Sequence, residues 1–241
     1  MIGLEFDRVV KDYRGLRPLR VRQLAVATGE RVALSGLDVP AAETFINLAT
    51  GAGLPDEGEV RVMGQATSAI TDPDLWLASL DAFGIVSHRA VLLDALTVAQ
   101  NIAMTFSLSI DPVPADIRAK VEALAEAVEI GAEDLERNVA DVSGAIHVRT
   151  HVARALAIDP SVLVLEHPTL NVERGDVASL ARSIARATTG RTLALLALTN
   201  DDDLAKGLEG NRLKLNASTG EVSRSGGLLA RLRRTPPAGR R

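Results

Sequence analysis

Val32-Ala33-Leu34-Ser35-Gly36-Leu37-Asp38-Val39-Pro40-Ala41-Ala42-Glu43-Thr44-Phe45-Ile46-Asn47-Leu48 reads as a strand, a loop and a helix in that order. Such a junction is where anions bind, because the free N–H groups and the dipole at a helix start attract negative charge. Two more apolar runs, Val162-Leu163-Val164-Leu165 and Leu193-Ala194-Leu195-Leu196-Ala197-Leu198, share the character of Val32-Ala33-Leu34. Each is short, continuous rather than alternating, and bounded by turn or cap residues, the pattern of strands buried on both faces of a parallel sheet. Between Val177 and Thr189 the apolar positions Val177, Leu180 and Ile184 keep helical spacing, with Asp176 at the N-terminal end and Gly190 placed to stop the helix. A helix joining two buried strands is a βαβ crossover, so the expected class is α/β.

The middle third carries few strand signals from about Leu92 to Ile158. Ile117, Val121, Leu124 and Val128 form an amphipathic stripe behind Asp116, and a second helix is expected from about Ala145 to Ile158. The expected organisation is one domain over residues 1–225, with a core of about 1–90 and 159–225 and an inserted helical subdomain of about 91–158. Residues 226–241 include Arg231-Leu232-Arg233-Arg234-Thr235-Pro236-Pro237 and end in Arg240-Arg241, a basic, proline-containing tail expected to be disordered.

With 46% hydrophobic content in 241 residues the chain can bury a full core. It has no cysteine, hence no disulfide framework. Charges at Glu5, Asp7 and Arg8 precede any apolar run, so no signal peptide is readable, and no apolar run is long enough to span a bilayer. The balance of 27 basic against 31 acidic side chains gives no footprint for nucleic acid. A cytoplasmic chain is expected, at most peripheral at the inner face of the membrane.

The Val32–Leu48 segment resembles, in place and length, the phosphate-binding loop of ATP-binding-cassette (ABC) ATPases, and the likeness continues in the family's order. Leu54-Pro55-Asp56-Glu57-Gly58-Glu59-Val60-Arg61-Val62-Met63-Gly64 resembles the following turn and strand. Gly84-Ile85-Val86-Ser87-His88 resembles the strand entering the Q-loop, and Leu96-Thr97-Val98-Ala99-Gln100-Asn101-Ile102 the segment opening the helical subdomain. Val142-Ser143-Gly144-Ala145-Ile146 stands at the signature loop, and Val162-Leu163-Val164-Leu165-Glu166-His167-Pro168-Thr169 resembles the Walker B strand and its exit. The resemblance therefore implies a P-loop NTPase-like sheet core with an inserted helical subdomain. It also implies that Tyr13 stands where an aromatic stacks on adenine, with packing at a strand end as the competing role.

Placed on that pattern, the chain departs at the positions that carry chemistry. Ala42 stands at the lysine that reaches the phosphates and Glu43 at the magnesium ligand, while Val39 and Ala41 replace glycines and Pro40 removes an N–H donor. A register shift brings Thr44 near the metal position but supplies no lysine, since the nearest basic residues in sequence are Arg31 and Arg61. Losing the lysine forfeits roughly 1.5–3 kcal/mol. A carboxylate beside phosphate adds repulsion of about 4 kcal/mol at an effective dielectric of about 20. Glu166 replaces the Walker B aspartate, His167 the general base, His88 the Q-loop glutamine and Asn200 the switch histidine. The candidate nucleotide contacts are thus Tyr13, Gly36, Thr44, Ser143 and Gly144, with no catalytic residue and no metal ligand expected. His147 and His151, four apart on a helix and without a third ligand in sequence, read as a solvated helix face rather than a metal pair.

The resemblance implies dimers in which one subunit's signature loop closes on nucleotide held by the other. Ser143 and Gly144 keep a hydroxyl and free N–H groups for a partner's γ-phosphate, although Ala145 and Ile146 depart from the family's Gly-Gln. The expectation is a degenerate ABC ATP-binding subunit that needs no cofactor at its own site. It would pair with another ABC ATPase domain, as a hetero- or homodimer, and contact transmembrane permease subunits through the His88–Leu96 region. Two alternatives are an unusual but active ATPase or nucleotide sensor, which would use ATP and Mg²⁺ through Tyr13, Thr44, Glu166 and His167, and a regulatory scaffold outside transport.

Overall fold

In the computed structural model, which describes residues 1–225, all three apolar runs lie in one six-stranded sheet. The expected tail from Gly226 onward falls outside the described residues. In chain order the strands are β1 (Ile2–Lys11), β2 (Leu19–Ala27), β3 (Arg31–Ser35), β4 (Glu57–Val62), β5 (Gln65–Ala66), β6 (Phe83–Val86), β7 (Val162–Glu166), β8 (Ala194–Leu198), β9 (Asn211–Leu215) and β10 (Val222–Arg224). The helices are α1 (Val39–Ala49), α2 (Pro73–Ser79), α3 (Val98–Ala103), α4 (Ala115–Ala127), α5 (Ala132–Leu135), α6 (Gly144–Ala157), α7 (Val177–Thr188) and α8 (Asp202–Gly207). The six-stranded sheet runs β10-β9-β3-β8-β7-β6, parallel from β9 to β6, with β10 antiparallel at its edge. A separate antiparallel sheet runs β2-β1-β4-β5.

The continuous apolar character of β7 and β8 follows from a core on each face. Val162, Val164, Leu196 and Leu198 pack on one side with Phe6, Phe45 and the buried face of α1, where the two phenylalanine rings stack at 4.1 Å. Leu163, Leu165 and Leu195 pack on the other side with Leu156, Leu180 and Ile184. Each such side chain contributes roughly 1.5–3 kcal/mol by leaving water. The crossover β7–α7–β8 joins parallel neighbours as expected. Asp176 precedes α7 but has helical backbone angles and makes no capping bond, so the helix is held by its buried Val177, Leu180 and Ile184.

Between β6 and β7 the chain is helical, with one isolated bridge, Thr97 to Asn138. The stripe on α4 buries Ile117, Val121 and Ala125, and α6 buries Val148, Val152 and Leu156. These side chains join one sheet face and α7 in a single cluster. A capping box between Thr97 and Gln100 starts α3. Buried Asn101 ties the preceding loop to it, bonding both backbone groups of Leu93 and the carbonyl of Thr97.

Candidate functional site

The loop between β3 and α1 is shaped by one glycine and two side chains. Gly36 has φ +98°, and a Cβ there would collide with the Leu215 carbonyl oxygen on β9. Its N–H donates to Asn200 Oδ1 at 2.9 Å, and Asn200 Nδ2 donates to the Leu37 carbonyl at 3.0 Å. Asp38 caps α1, its carboxylate accepting from the Ala41 N–H at 2.9 Å, with Pro40 in the first turn. The chain thus places its own carboxylate at the positive end of the helix. Ala42 is fully buried beneath this turn, and the Thr44 hydroxyl donates back to the Pro40 carbonyl at 2.8 Å.

A second cluster adjoins the first turn of α1. Arg89 Nη1 donates to Glu43 Oε1 at 3.0 Å, while Arg89 Nη2 lies 3.6 Å from Glu166 Oε2. His88 Nδ1 stands 4.0 Å from the same Glu166 oxygen. The Glu166 side chain is wholly enclosed at the end of β7, and neither of its oxygens has a hydrogen-bond partner. His167 follows with φ +42°, a conformation costly for a side chain with a Cβ, and its buried Nε2 is also unpartnered. Its N–H donates to the Leu198 carbonyl at 2.9 Å, anchoring the turn to β8.

Two cavities flank these groups. One, of about 340 Å³, brings Tyr13 to Gly36, Leu37, Asp38 and Ala41. Burial, reinforced by Asp38 and opposed by Arg17, raises the Tyr13 pKa above its ordinary value. The other, of about 580 Å³, is lined by His88, His147, His151 and His167, which are all four histidines of the sequence, together with Glu166 and Gly144. The expectation of a solvated face for His147 and His151 is therefore corrected. Their rings lie 5.0 Å apart, His151 is buried at 7% exposed and His147 is half-buried, and both line a cavity that the end of β7 also borders. Burial lowers both pKa values, that of His151 to about 4 with help from His147 and Arg154. Among the described residues no three His, Asp or Glu side chains form a group able to hold a metal ion.

Gly144 opens α6 and lines that cavity, whereas the N-cap residue Ser143 is not part of its lining. The Ser143 hydroxyl accepts from the Ile146 N–H at 3.3 Å, and a Cβ on Gly144 would collide with the Asn171 carbonyl oxygen. The sequence-predicted residues therefore form two groups, Tyr13 and Gly36 in one, His88, Glu166, His167 and Gly144 in the other. Thr44 lines neither cavity. Two residues were missed. Asp38 carried a legible signal, an aspartate just ahead of Val39-Pro40 at a helix start. Arg89 carried none, because its partner Glu43 lies 46 positions away.

A parallel sheet with a glycine-turned loop entering α1 after β3, and a buried carboxylate at the end of β7, the next strand but one, defines a P-loop NTPase-like domain. The model of the ABC transporter family matches residues 19–170, and the chain belongs to that family. It is 30% identical over 187 residues to the lipoprotein-releasing system ATP-binding protein LolD of Pseudomonas fluorescens, covering 78% of this chain and 82% of that protein. It is 32% identical to the phosphonates import ATP-binding protein PhnC of Anaeromyxobacter dehalogenans over 76% of this chain, though over only 38% of that longer protein. In fold it is similar to the dimeric ATP-binding cassette MJ0796 bound to ADP and Pi (TM-score 0.72, 19% identity, 92% of this chain and 98% of that one). It is also similar to cbiO1 of Clostridium perfringens (TM-score 0.76, 19% identity, 92% of this chain and 87% of that one).

Proposed function

We propose that the chain is an ABC transporter subunit whose own nucleotide site is impaired in ATP binding and hydrolysis, and which acts by pairing with an active ATPase domain. The observation that carries this reading is the Asp38 carboxylate on the Ala41 N–H, an internal anion where the family's loop receives phosphate. The surrounding groups support it. Ala42 supplies no lysine and is buried, Gly36 has given its N–H to Asn200, and Glu43 is paired with Arg89. That pairing softens the Glu43 repulsion expected from sequence, leaving Asp38 and the missing lysine as the larger penalties. ATP and Mg²⁺ fit these residues poorly.

In this reading residues 1–90 and 159–225 form the core and 91–158 a helical subdomain. Ser143 and Gly144 face nucleotide held by the partner, and the chain sits in the cytoplasm against membrane permease subunits. Supporting that contact, Val91 and Leu93 in the His88–Leu96 region are 69% and 44% exposed. Among the described residues no helix is long and apolar enough to cross a membrane. The relatives' names, a lipoprotein-releasing system and a phosphonate importer, fit such a partnership.

The test is equilibrium binding of fluorescent ATP, with and without Mg²⁺, to the native chain and to a variant carrying Asp38→Gly, Ala42→Lys and Glu43→Ser. The native chain should show no saturable binding at micromolar nucleotide and the variant should gain it; micromolar binding by the native chain overturns the reading. A second reading, an unusual ATPase, is favoured by Glu166 and His167, which line one cavity with buried polar atoms that lack hydrogen-bond partners. Turnover by the native chain that disappears when Glu166→Ala and His167→Ala are combined would establish it.

A further inference from the structure

Glu43, Arg89 and Glu166 reach one point from three parts of the fold, the first turns of α1, the segment after β6 and the end of β7. Two carboxylates close to a common point repel unless a cation stands between them, and burial of one makes the need acute. Glu166 is wholly enclosed and neither of its oxygens has a hydrogen-bond partner, whereas Glu43 is partly exposed. Among the described residues the Arg89 guanidinium is the permanent positive charge paired with both, since His88 is charged only if protonated. Its backbone is fixed too, the Arg89 N–H donating to Ser87 Oγ at 3.0 Å.

We propose that Arg89 is a built-in cation, taking between Glu43 and Glu166 the place of a divalent metal and clasping the 87–94 segment to α1 and β7 without nucleotide. The inference rests on the proposed reading of Glu43 and Glu166 as the metal-side positions, and deepens it by naming the charge that replaces the metal. The segment is then held at both ends, by Arg89 at one and by Asn101 on Leu93 at the other. The apolar surface of Val91 and Leu93 is presented to a partner in a fixed conformation, whatever nucleotide is present.

The experiment uses the full chain in nucleotide-free buffer, comparing native protein, Arg89→Ala, and Arg89→Ala with Glu43→Ser, each with chelator or with millimolar Mn²⁺. The native midpoint should not respond to Mn²⁺. Arg89→Ala should melt about 3 °C or more lower in chelator and recover with Mn²⁺, because the freed carboxylates now bind the metal. The double variant, with one carboxylate removed, should lose that response. Amide exchange across 87–94 should quicken about tenfold in Arg89→Ala, the consequence of losing about 1.4 kcal/mol of local stability. A native midpoint that rises with Mn²⁺ as much as the variant's overturns the proposal, as does a softened Arg89→Ala that ignores Mn²⁺ or one that matches native protein in both readouts. Should Arg89→Ala not fold, Glu43→Gln decides, since unchanged exchange across 87–94 sinks the clasp. ATP binding by the native chain would remove the pseudo-ATPase reading while leaving these metal-only outcomes readable.

Discussion

His151 shows how one side chain on α6 couples the histidine-lined cavity to pH. Its pKa lies near 4 in the folded chain, chiefly through burial, against about 6.5 when unfolded. The unfolded state therefore binds the proton more tightly. The stability this neutral imidazole contributes is complete above about pH 6.5 and is lost as pH falls toward 4, about 2 kcal/mol having gone by pH 5. Urea denaturation at pH 7 and pH 5 should show that loss in the native chain and a smaller one in His151→Gln. Helical spacing put His147 and His151 on one face of a helix, but it could not say what that face meets. The answer came from β7, whose end lies across the cavity from α6.

At the scale of elements, the start of α1 combines a strand exit, a left-handed glycine and a side-chain cap. Asp38→Ala removes the acceptor for the Ala41 N–H and should cost about 1 kcal/mol, lowering the melting midpoint by roughly 2–4 °C. Gly36→Ala should cost more, because its Cβ meets the Leu215 carbonyl and its φ is positive, so β9 must shift to admit it. Differential scanning calorimetry of the two variants checks the order. The strand, loop and helix themselves were legible from apolar runs and spacing. So were β7, α7 and β8, because a strand buried on both faces needs unbroken apolar sequence and a covering helix needs an apolar stripe. The role of Asp38 was legible in type but not in partner, since a cap signal does not say that the carboxylate accepts from the Ala41 N–H.

For the whole molecule, the six-stranded sheet separates two apolar clusters and makes their stabilities interdependent. Leu163 belongs to the cluster shared by α6 and α7, while the sole tryptophan, Trp76, is bonded at 3.0 Å to the Thr50 carbonyl at the end of α1, on the other side of the sheet. Leu163→Ala should cost about 2–5 kcal/mol. Because both clusters share the strands, Trp76 fluorescence and far-ultraviolet dichroism should shift together; a Trp76 transition unmoved by the substitution would show the two sides unfolding separately. The sequence by itself determined the α/β class, the order of the motifs and the absence of a lysine at Ala42, all properties of residue type and local spacing. Only the tertiary structure decided which residues meet at the site, with Arg89 between Glu43 and Glu166, Asn200 on Gly36 and four histidines around one cavity. These pairings join residues far apart in the chain, and electrostatic compensation depends on distance in space, which the crossovers of a parallel sheet fix and linear order does not.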